Sequence, residues 1–317
     1  MTKVKSTRLS VFLLKWVKDG LFMQKLIVLI ISAVILISFS ACDGNTMNKI
    51  TGDDYPVTVW GVKIESCPQK IICLSPAVTD IITALGSDAQ LIGVSVNCDN
   101  ERGLDTFGSS ALPETEKIIK SDAEIIIADE SISDEAKKEI TESGKSVIIY
   151  PAVSKYEDIE SLYESVATIF SGYSTGKANA ENTFDRIDDR IEAIEEKADE
   201  ENKVNAIIFL GDGIVAPKGT IYDEILTLSG GKNIAGDGYG ADYAEIAKKN
   251  PKHIFCPVDM VESIKSDKTL AKTDAVKNGK VTAFSPLYFE RYGDNFALGV
   301  EIMAAALHPN LVKSPLR

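Results

Sequence analysis

The sequence is poor in the residues from which enzymes build metal sites and catalytic triads. Its 317 residues include two histidines, His253 and His308, and five cysteines without a CxxC motif. These numbers disfavour a histidine-rich metal site and a Ser-His-Asp or Cys-His catalytic group. There is also no GxxxxGK[ST] phosphate loop, no GxGxxG after a predicted strand and no GxSxG motif. The sequence therefore predicts no catalytic residue, no metal site and no cofactor of its own.

Positive charge is scarce in the body of the chain. Residues 42–317 carry 28 Lys and Arg against 46 Asp and Glu, a formal charge of −18. Because such a surface repels nucleic acid and anionic lipid headgroups, neither is predicted as a partner of this region. The hydrophobic fraction of 44% is sufficient for ordinary cores. The length suggests about two domains.

Long apolar runs are absent except for one near the N-terminus. The sixteen residues Leu26–Ala41 carry no charge, with Lys25 before them and Cys42 after them. A basic residue, a short apolar segment and small residues before a cleavage point are typical of a secretory signal. The run is short for a membrane span of about 20 residues, although an uncleaved anchor is the alternative. The order Ser-Ala-Cys resembles a bacterial lipobox, which implies that Cys42 is lipidated.

Beyond this segment the chain divides into two similar halves. We predict a signal peptide over residues 1–41, with Met23 as a second possible start, and a polar tether over 42–54. Short β-rich runs alternate with helical runs over 55–174 and again over 204–317. Such alternation predicts mostly parallel sheets covered by helices on both faces.

Residues 175–203 are predicted to form one long amphipathic helix between the halves. Apolar side chains recur there at steps of three and four, namely at Phe184, Ile187, Ile191, Ile194 and Ala198. A helix of about 25 residues spans about 37 Å, the width of a domain. The pattern alone leaves open whether the helix connects two lobes or lies exposed within one larger domain.

Candidate ligand contacts in the first half lie near predicted strand ends. Residues 70–86 predict a strand, a sharp turn and a helix with Ser75 at its N-cap. Such a turn places backbone N–H groups and a hydroxyl at the carboxyl end of a parallel strand, where ligands bind in open α/β sheets. The first-half candidates are Trp60, Ser75, Asn97, Asp99 and Arg102.

Several segments together resemble the class III solute-binding proteins of ABC importers, which bind iron-siderophores, haem or cobalamin. The matching runs are KIICLSPAVTDIITALG (70–86), IYDEILTLSGGKNIAG (221–236) and AVKNGKVTAF (275–284). Two departures are Ala123, where the family usually has Pro, and Lys252, where it usually has Asp. The matches cover residues from about 55 to about 315 in the family's order.

This resemblance implies an α/β fold of two Rossmann-like lobes with mostly parallel sheets, joined by one long interdomain helix. The ligand would lie in a largely pre-formed cleft between the lobes. The implied protein is not an enzyme but a monomeric, lipid-anchored binding protein on the outer face of the cell membrane. It would capture an iron complex or cobalamin and deliver it to membrane permease subunits. The alternative is an extracytoplasmic sensor or enzyme that reuses the fold.

The resemblance also implies ligand contacts in the second half. The run Tyr-Phe-Glu-Arg at 288–291 matches the aromatic-Phe-Glu-Arg run in the cleft loop of cobalamin-binding members. Flat aromatic faces suit a macrocycle or catecholate, and an arginine suits amides or carboxylates. The second-half candidates are Asp212, Tyr288, Phe289, Arg291 and Tyr292. The alternative is that Phe289 packs inside the lobe while its neighbours are solvated, and the ligand stays open among siderophore, haem and cobalamin.

Family members dock to their transporter through one surface Glu on each lobe. The first-lobe Glu corresponds to Glu116, which the alternative interpretation treats as an ordinary exposed helix acid. The second-lobe position corresponds to Ala244, so the adjacent Glu245 is the candidate there. Apart from Cys42 there are four cysteines, which allow three pairings, and the sequence does not choose among them.

Overall fold

A hairpin precedes the first parallel sheet in the computed structural model, which describes residues 54–199 and 203–310. The signal peptide, Cys42 and the tether up to residue 53 lie outside the described residues. The hairpin strands are β1 (Val57–Val59) and β2 (Val62–Ile64). Trp60 and Gly61 form its turn with φ of 45° and 80°, the positive values that a type I′ turn requires. Such a φ is strained for a bulky residue like Trp60.

The first lobe contains a five-stranded parallel sheet. Its strands are β3 (Ile71–Cys73), β4 (Leu91–Val94), β5 (Asp105–Thr106), β6 (Ile125–Ala128) and β7 (Ser146–Ile149). They lie in the order β5-β4-β3-β6-β7. All residues of β3 and β6 are buried, as expected for Ile-rich strands covered on both faces. The helices are α1 (Pro76–Ala84), α2 (Thr115–Lys120), α3 (Asp134–Glu142) and α4 (Tyr156–Ser171).

The second lobe repeats this architecture with the parallel order β10-β8-β11-β12. A short strand, β9, pairs antiparallel with β8. The strands are β8 (Val204–Gly211), β9 (Ile214–Val215), β10 (Gly231–Asn233), β11 (His253–Cys256) and β12 (Val281–Ala283). Two mostly parallel sheets confirm the predicted fold class.

The connecting helix, α5, spans Tyr173–Asp199. It starts two residues before the predicted first residue, Thr175, because only Gly172, with φ of 77°, separates it from α4. Lys203, predicted as the last helical residue, lies outside the helix and directly before β8. The predicted apolar face is confirmed, since each of its side chains is at most 7% exposed: Phe184, Ile187, Ile191, Ile194 and Ala198.

The remaining helices cover the second lobe, and α10 also contacts α5. These helices are α6 (Ile221–Leu228), α7 (Tyr243–Lys249), α8 (Val261–Ser266), α9 (Asp274–Lys277) and α10 (Asp294–Leu307). Arg190 of α5 binds Asp294 and Glu301 of α10, each at 2.9 Å. In residues 54–199 and 203–310, no helix is long and apolar enough to cross a membrane.

His253 in β11 is expected to make the stability depend on pH. Burial, and to a smaller extent the charge of Lys280, lowers its pKa from 6.5 to about 4. On acidification, His253 is therefore protonated at a higher pH in the unfolded chain than in the folded protein. The stabilisation that neutral His253 gives the folded state is complete above pH 6.5 and is lost as the pH falls towards 4. We expect the free energy of unfolding to fall by about 2 kcal/mol between pH 7 and pH 5. Urea denaturation at both pH values measures this loss.

A His253→Gln variant is the control for that measurement. Glutamine keeps a polar group near the Thr282 hydroxyl, which lies 2.7 Å from His253 Nε2, but it does not titrate. The variant should lose clearly less stability over the same pH interval. Equal losses in both proteins would show that another group carries the pH dependence.

Candidate ligand-binding cleft

Ser75 lies at the carboxyl end of β3, as predicted, but its hydroxyl is engaged inside the protein. It caps α1 by accepting the Val78 N–H at 3.3 Å, and it lies 2.8 Å from the Tyr150 hydroxyl. Tyr150 follows β7 at the same edge of the sheet, and its ring lies 6.3 Å from that of Trp60. The hairpin turn and two strand ends therefore place Trp60, Ser75 and Tyr150 together.

Aromatic residues of the second lobe extend this group. Burial raises the pKa of the Tyr292 hydroxyl well above its ordinary value, and the acidic groups of Tyr150, Tyr222 and Glu290 raise it further. The Tyr163 hydroxyl of α4 donates to the Tyr292 carbonyl at 2.9 Å, so residues of both lobes meet at Tyr292. With raised pKa values these phenols stay protonated at neutral pH, so they offer flat faces and O–H donors.

Phe289 lies in the core of the second lobe, where the alternative interpretation expected it. It is 2% exposed, and its ring centroid lies 4.7 Å from that of Tyr222 and 4.9 Å from that of Phe284. Tyr288 is half-buried against Phe284, at 5.2 Å between ring centroids. The Phe289 ring therefore packs against the Tyr222 ring inside the lobe.

Arg291 places a positive charge at the boundary between the lobes. It is 6% exposed and forms an ion pair with Asp99 of the first lobe. Its Nη2 donates to the Asn97 carbonyl at 3.5 Å. Its buried Nε has no hydrogen-bond partner within the described part of the chain. An unpaired buried donor costs about 1–3 kcal/mol, and an acceptor that reached this N–H would offset that cost.

A cavity of about 330 Å³ lies beside Arg291. The first lobe lines it with α1 and the loop after β4, and the second lobe contributes Arg291 and Asn295. Three predicted contacts, Asp99, Arg102 and Arg291, meet there, and Arg102 pairs with Asp88 at 3.2 Å. Ligand pockets usually measure about 300–1,000 Å³, so this cavity admits a small ligand or one arm of a large one.

Asp212 is separate from both groups. It lies between β8 and β9, where the Tyr243 hydroxyl is 3.5 Å from its carboxylate, and it does not line the cavity. The structure thus divides the predicted contacts among separate places. Trp60 and Ser75 lie with Tyr150 in the first lobe, whereas Tyr288 and Phe289 pack against Phe284 in the second lobe. These residues and Tyr292 are called the aromatic group below, and Asn97 borders the cavity through its backbone carbonyl.

Asp80 in α1 is a site residue that sequence reasoning missed. Its carboxylate accepts the Gly293 N–H at 2.6 Å and the Asn295 side-chain amide at 2.9 Å. Burial raises its pKa, while those two hydrogen bonds and Arg291 oppose the increase. The sequence feature that could have identified Asp80 is an acidic residue within the otherwise apolar helix segment AVTDIITA. Tyr150, directly after the apolar strand SVII, was another.

The described residues contain no group of three or more potential metal ligands. Four cysteines, Cys67, Cys73, Cys98 and Cys256, are free thiols, and Cys73 and Cys256 are completely buried. No preassembled metal centre is therefore present within residues 54–199 and 203–310.

The two candidate docking acids occupy similar positions in the two lobes. Glu116 lies in the first turn of α2, with its side chain 91% exposed and 3.4 Å from Lys120. Glu245 lies in the first turn of α7, 3.5 Å from Lys248. Each helix precedes a strand that pairs with the central strand of its sheet, β6 in the first lobe and β11 in the second.

Comparison with known proteins identifies similar sequences. A family model described as periplasmic binding protein matches residues 71–286. The uncharacterized ABC transporter substrate-binding lipoprotein YvrC of Bacillus subtilis is 26% identical over 281 residues, which cover 82% of this chain and 88% of that protein. A cobalamin-binding protein of Halobacterium salinarum is 24% identical over 184 residues, 56% of this chain and 48% of that protein. The match thus spans about half the length of the Halobacterium protein.

Solved structures share the fold. A periplasmic heme-binding protein from Pseudomonas aeruginosa superposes with a TM-score of 0.67 at 19% identity. The superposition covers 77% of this chain and 94% of that protein. Both described lobes and the long helix therefore belong to a known architecture.

Proposed function

Because this chain belongs to the periplasmic binding protein family, we propose that it captures an iron complex or cobalamin between its lobes and delivers it to an ABC importer. The family consists of binding proteins of ABC transporters, so the chain is not an enzyme. We further propose that Cys42 carries a lipid anchor and that the mature protein acts as a monomer outside the cell. No observation favours a sensor or an enzyme.

The observation that carries the ligand proposal is the buried, incompletely paired Arg291, which lines a cavity formed by both lobes. Arg291 supplies a cation and a free N–H donor. Trp60 and Tyr150 in the first lobe and the half-buried Tyr222 in the second add aromatic rings on both sides. A large planar ligand with polar side arms satisfies both features. Relatives named as heme-binding and cobalamin-binding proteins support this ligand class.

Equilibrium titration tests the ligand proposal directly. The purified protein is titrated with haemin, cyanocobalamin and a ferric hydroxamate siderophore, while its intrinsic fluorescence is recorded. We expect one of them to bind with a dissociation constant of about 1 μM or lower. Failure of all three to bind at 100-fold higher concentration would overturn the proposed ligand class.

Charge reversal tests the proposed docking role of Glu116. We expect Glu116→Arg to reduce ligand uptake by cells at least about tenfold, because a like charge would face the basic groups of the permease. The dissociation constant of the isolated protein should not change, since Glu116 lies outside the cavity and the aromatic group. Glu160→Arg, a reversal on the exposed face of α4, is the matched control. Normal uptake by the Glu116 variant would remove this residue from the interface.

A further inference from the structure

We propose that Asp80 is a positioning residue, which holds the second-lobe segment Arg291–Asn295 against the first lobe. Asp80 belongs to α1, more than two hundred residues away from the groups that it binds. One carboxylate oxygen accepts the Gly293 N–H and the other accepts the Asn295 amide. The inference rests on the proposed function, since Arg291 in the same segment is the proposed ligand contact.

The contact between Asp80 and Gly293 is unusually close. A Cβ atom added to Gly293 would lie 2.6 Å from Asp80 Oδ2 and 3.0 Å from the Asp80 carbonyl oxygen. Real Cβ atoms essentially never come within 3.0 Å of such atoms. Glycine at 293 therefore permits the two-point hydrogen bonding, and a larger residue would push the segment away from α1.

The remaining contacts of the segment explain why Asp80 affects Arg291. Arg291 pairs with Asp99, and the Tyr163 hydroxyl donates to the Tyr292 carbonyl at 2.9 Å. The Asp99 side chain is 69% exposed, so solvent screens its ion pair with Arg291. The hydrogen bonds to Asp80 are shielded, because Gly293 is buried. Asp80 therefore holds the segment more firmly than Asp99 does.

Fixing the segment benefits ligand binding through preorganisation. A segment that is held in place before the ligand arrives loses less conformational entropy on binding than a mobile one. Without the Asp80 contacts, Arg291 and Tyr292 would have to be ordered by the ligand itself. Asp80 also lines the cavity, so the exchange measurement below is needed to show that affinity falls with the order of the segment.

The test uses Asp80→Ala with two readouts. The first is the dissociation constant for whichever of haemin, cyanocobalamin and the ferric siderophore binds the unmodified protein, and we expect it to rise about tenfold. The second is amide hydrogen exchange of residues 291–295 without ligand. The Gly293 amide should exchange at least about tenfold faster, because it loses its acceptor. A general loss of stability would accelerate exchange throughout the chain, whereas this role predicts a local change.

Three further variants complete the experiment. Asp80→Asn should show a smaller defect, since its amide oxygen still accepts the Gly293 N–H, and it replaces Asp80→Ala if that variant does not fold. Gly293→Ala should reproduce the Asp80→Ala defect from the other side of the contact. Asp122→Asn is the matched control, because its carboxylate is exposed and pairs with Lys70 away from the segment.

The outcomes separate this inference from the proposed function. Unchanged exchange at residues 291–295 in folded Asp80→Ala or Asp80→Asn would overturn the positioning role. Unchanged affinity together with faster exchange would also overturn it. If the unmodified protein binds none of the three probes, the proposed ligand class fails, and the exchange measurement still decides whether Asp80 holds the segment.

Discussion

Replacing Phe184 by alanine is expected to lower the free energy of unfolding by about 3–5 kcal/mol, the cost of removing a buried aromatic ring. Phe184 is 6% exposed in the connecting helix α5. Its ring centroid lies 5.7 Å from that of Tyr156 and 5.5 Å from that of Tyr163, both in α4. Tyr156 in turn stacks on Phe296 of α10 at 5.6 Å. The variant therefore leaves a cavity where helices from both halves of the chain meet.

Urea denaturation followed by circular dichroism measures this change. Asp185→Ala is the matched control, because Asp185 is the exposed neighbour of Phe184 in the same helix. Surface substitutions of this kind usually change stability by less than about 0.5 kcal/mol. A loss below about 1 kcal/mol for Phe184→Ala would show that α5 does not depend on its apolar face.

Replacing Arg291 by alanine is expected to weaken ligand binding by about 10- to 100-fold. Hydrogen bonds to charged groups contribute about 1.5–3 kcal/mol, and Arg291 offers its unpaired Nε besides the Nη groups that face Asp99. The loss should lie mainly in the dissociation rate, as for most contact residues. Titration and stopped-flow measurements with the ligand found for the unmodified protein give both quantities.

Asp99→Asn separates the two roles of Arg291. It removes the ion pair between the lobes but leaves the guanidinium in place. If Arg291 contacts the ligand, Arg291→Ala must weaken binding far more than Asp99→Asn does. Equal losses in the two variants would show that only the contact between the lobes matters. Because Arg291 is 94% buried, thermal unfolding of both variants must accompany the titrations.

The connecting helix shows how much of the fold was predictable from local patterns. The alternating spacing of Phe184, Ile187, Ile191 and Ile194 predicted the face that the structure buries. Alternating β-rich and helical runs likewise predicted the two parallel sheets. These features follow from residue spacing along a helix or strand, which depends little on distant residues. The resemblance to class III solute-binding proteins is confirmed by the family model.

The candidate site was only partly predictable. Arg291, Asp99 and Arg102 were named individually, yet their meeting in one cavity depends on how the lobes approach each other. Phe289 had two possible roles, and its contacts with Tyr222 and Phe284 place it in the core. Strand-end position alone does not distinguish a side chain that lines a cleft from one that supports it.

By itself, the sequence determined the fold class, the apolar face of the long helix and the family. It did so because periodicity and short motifs are local properties of the chain. Only the tertiary structure decided that Asp80 meets Gly293 and that Arg291 meets Asp99. These contacts join residues about two hundred positions apart in the sequence. No local sequence pattern predicts which residues so far apart come into contact. Packing at the boundary between the lobes then determines which N–H groups of Arg291 are paired and which one is not.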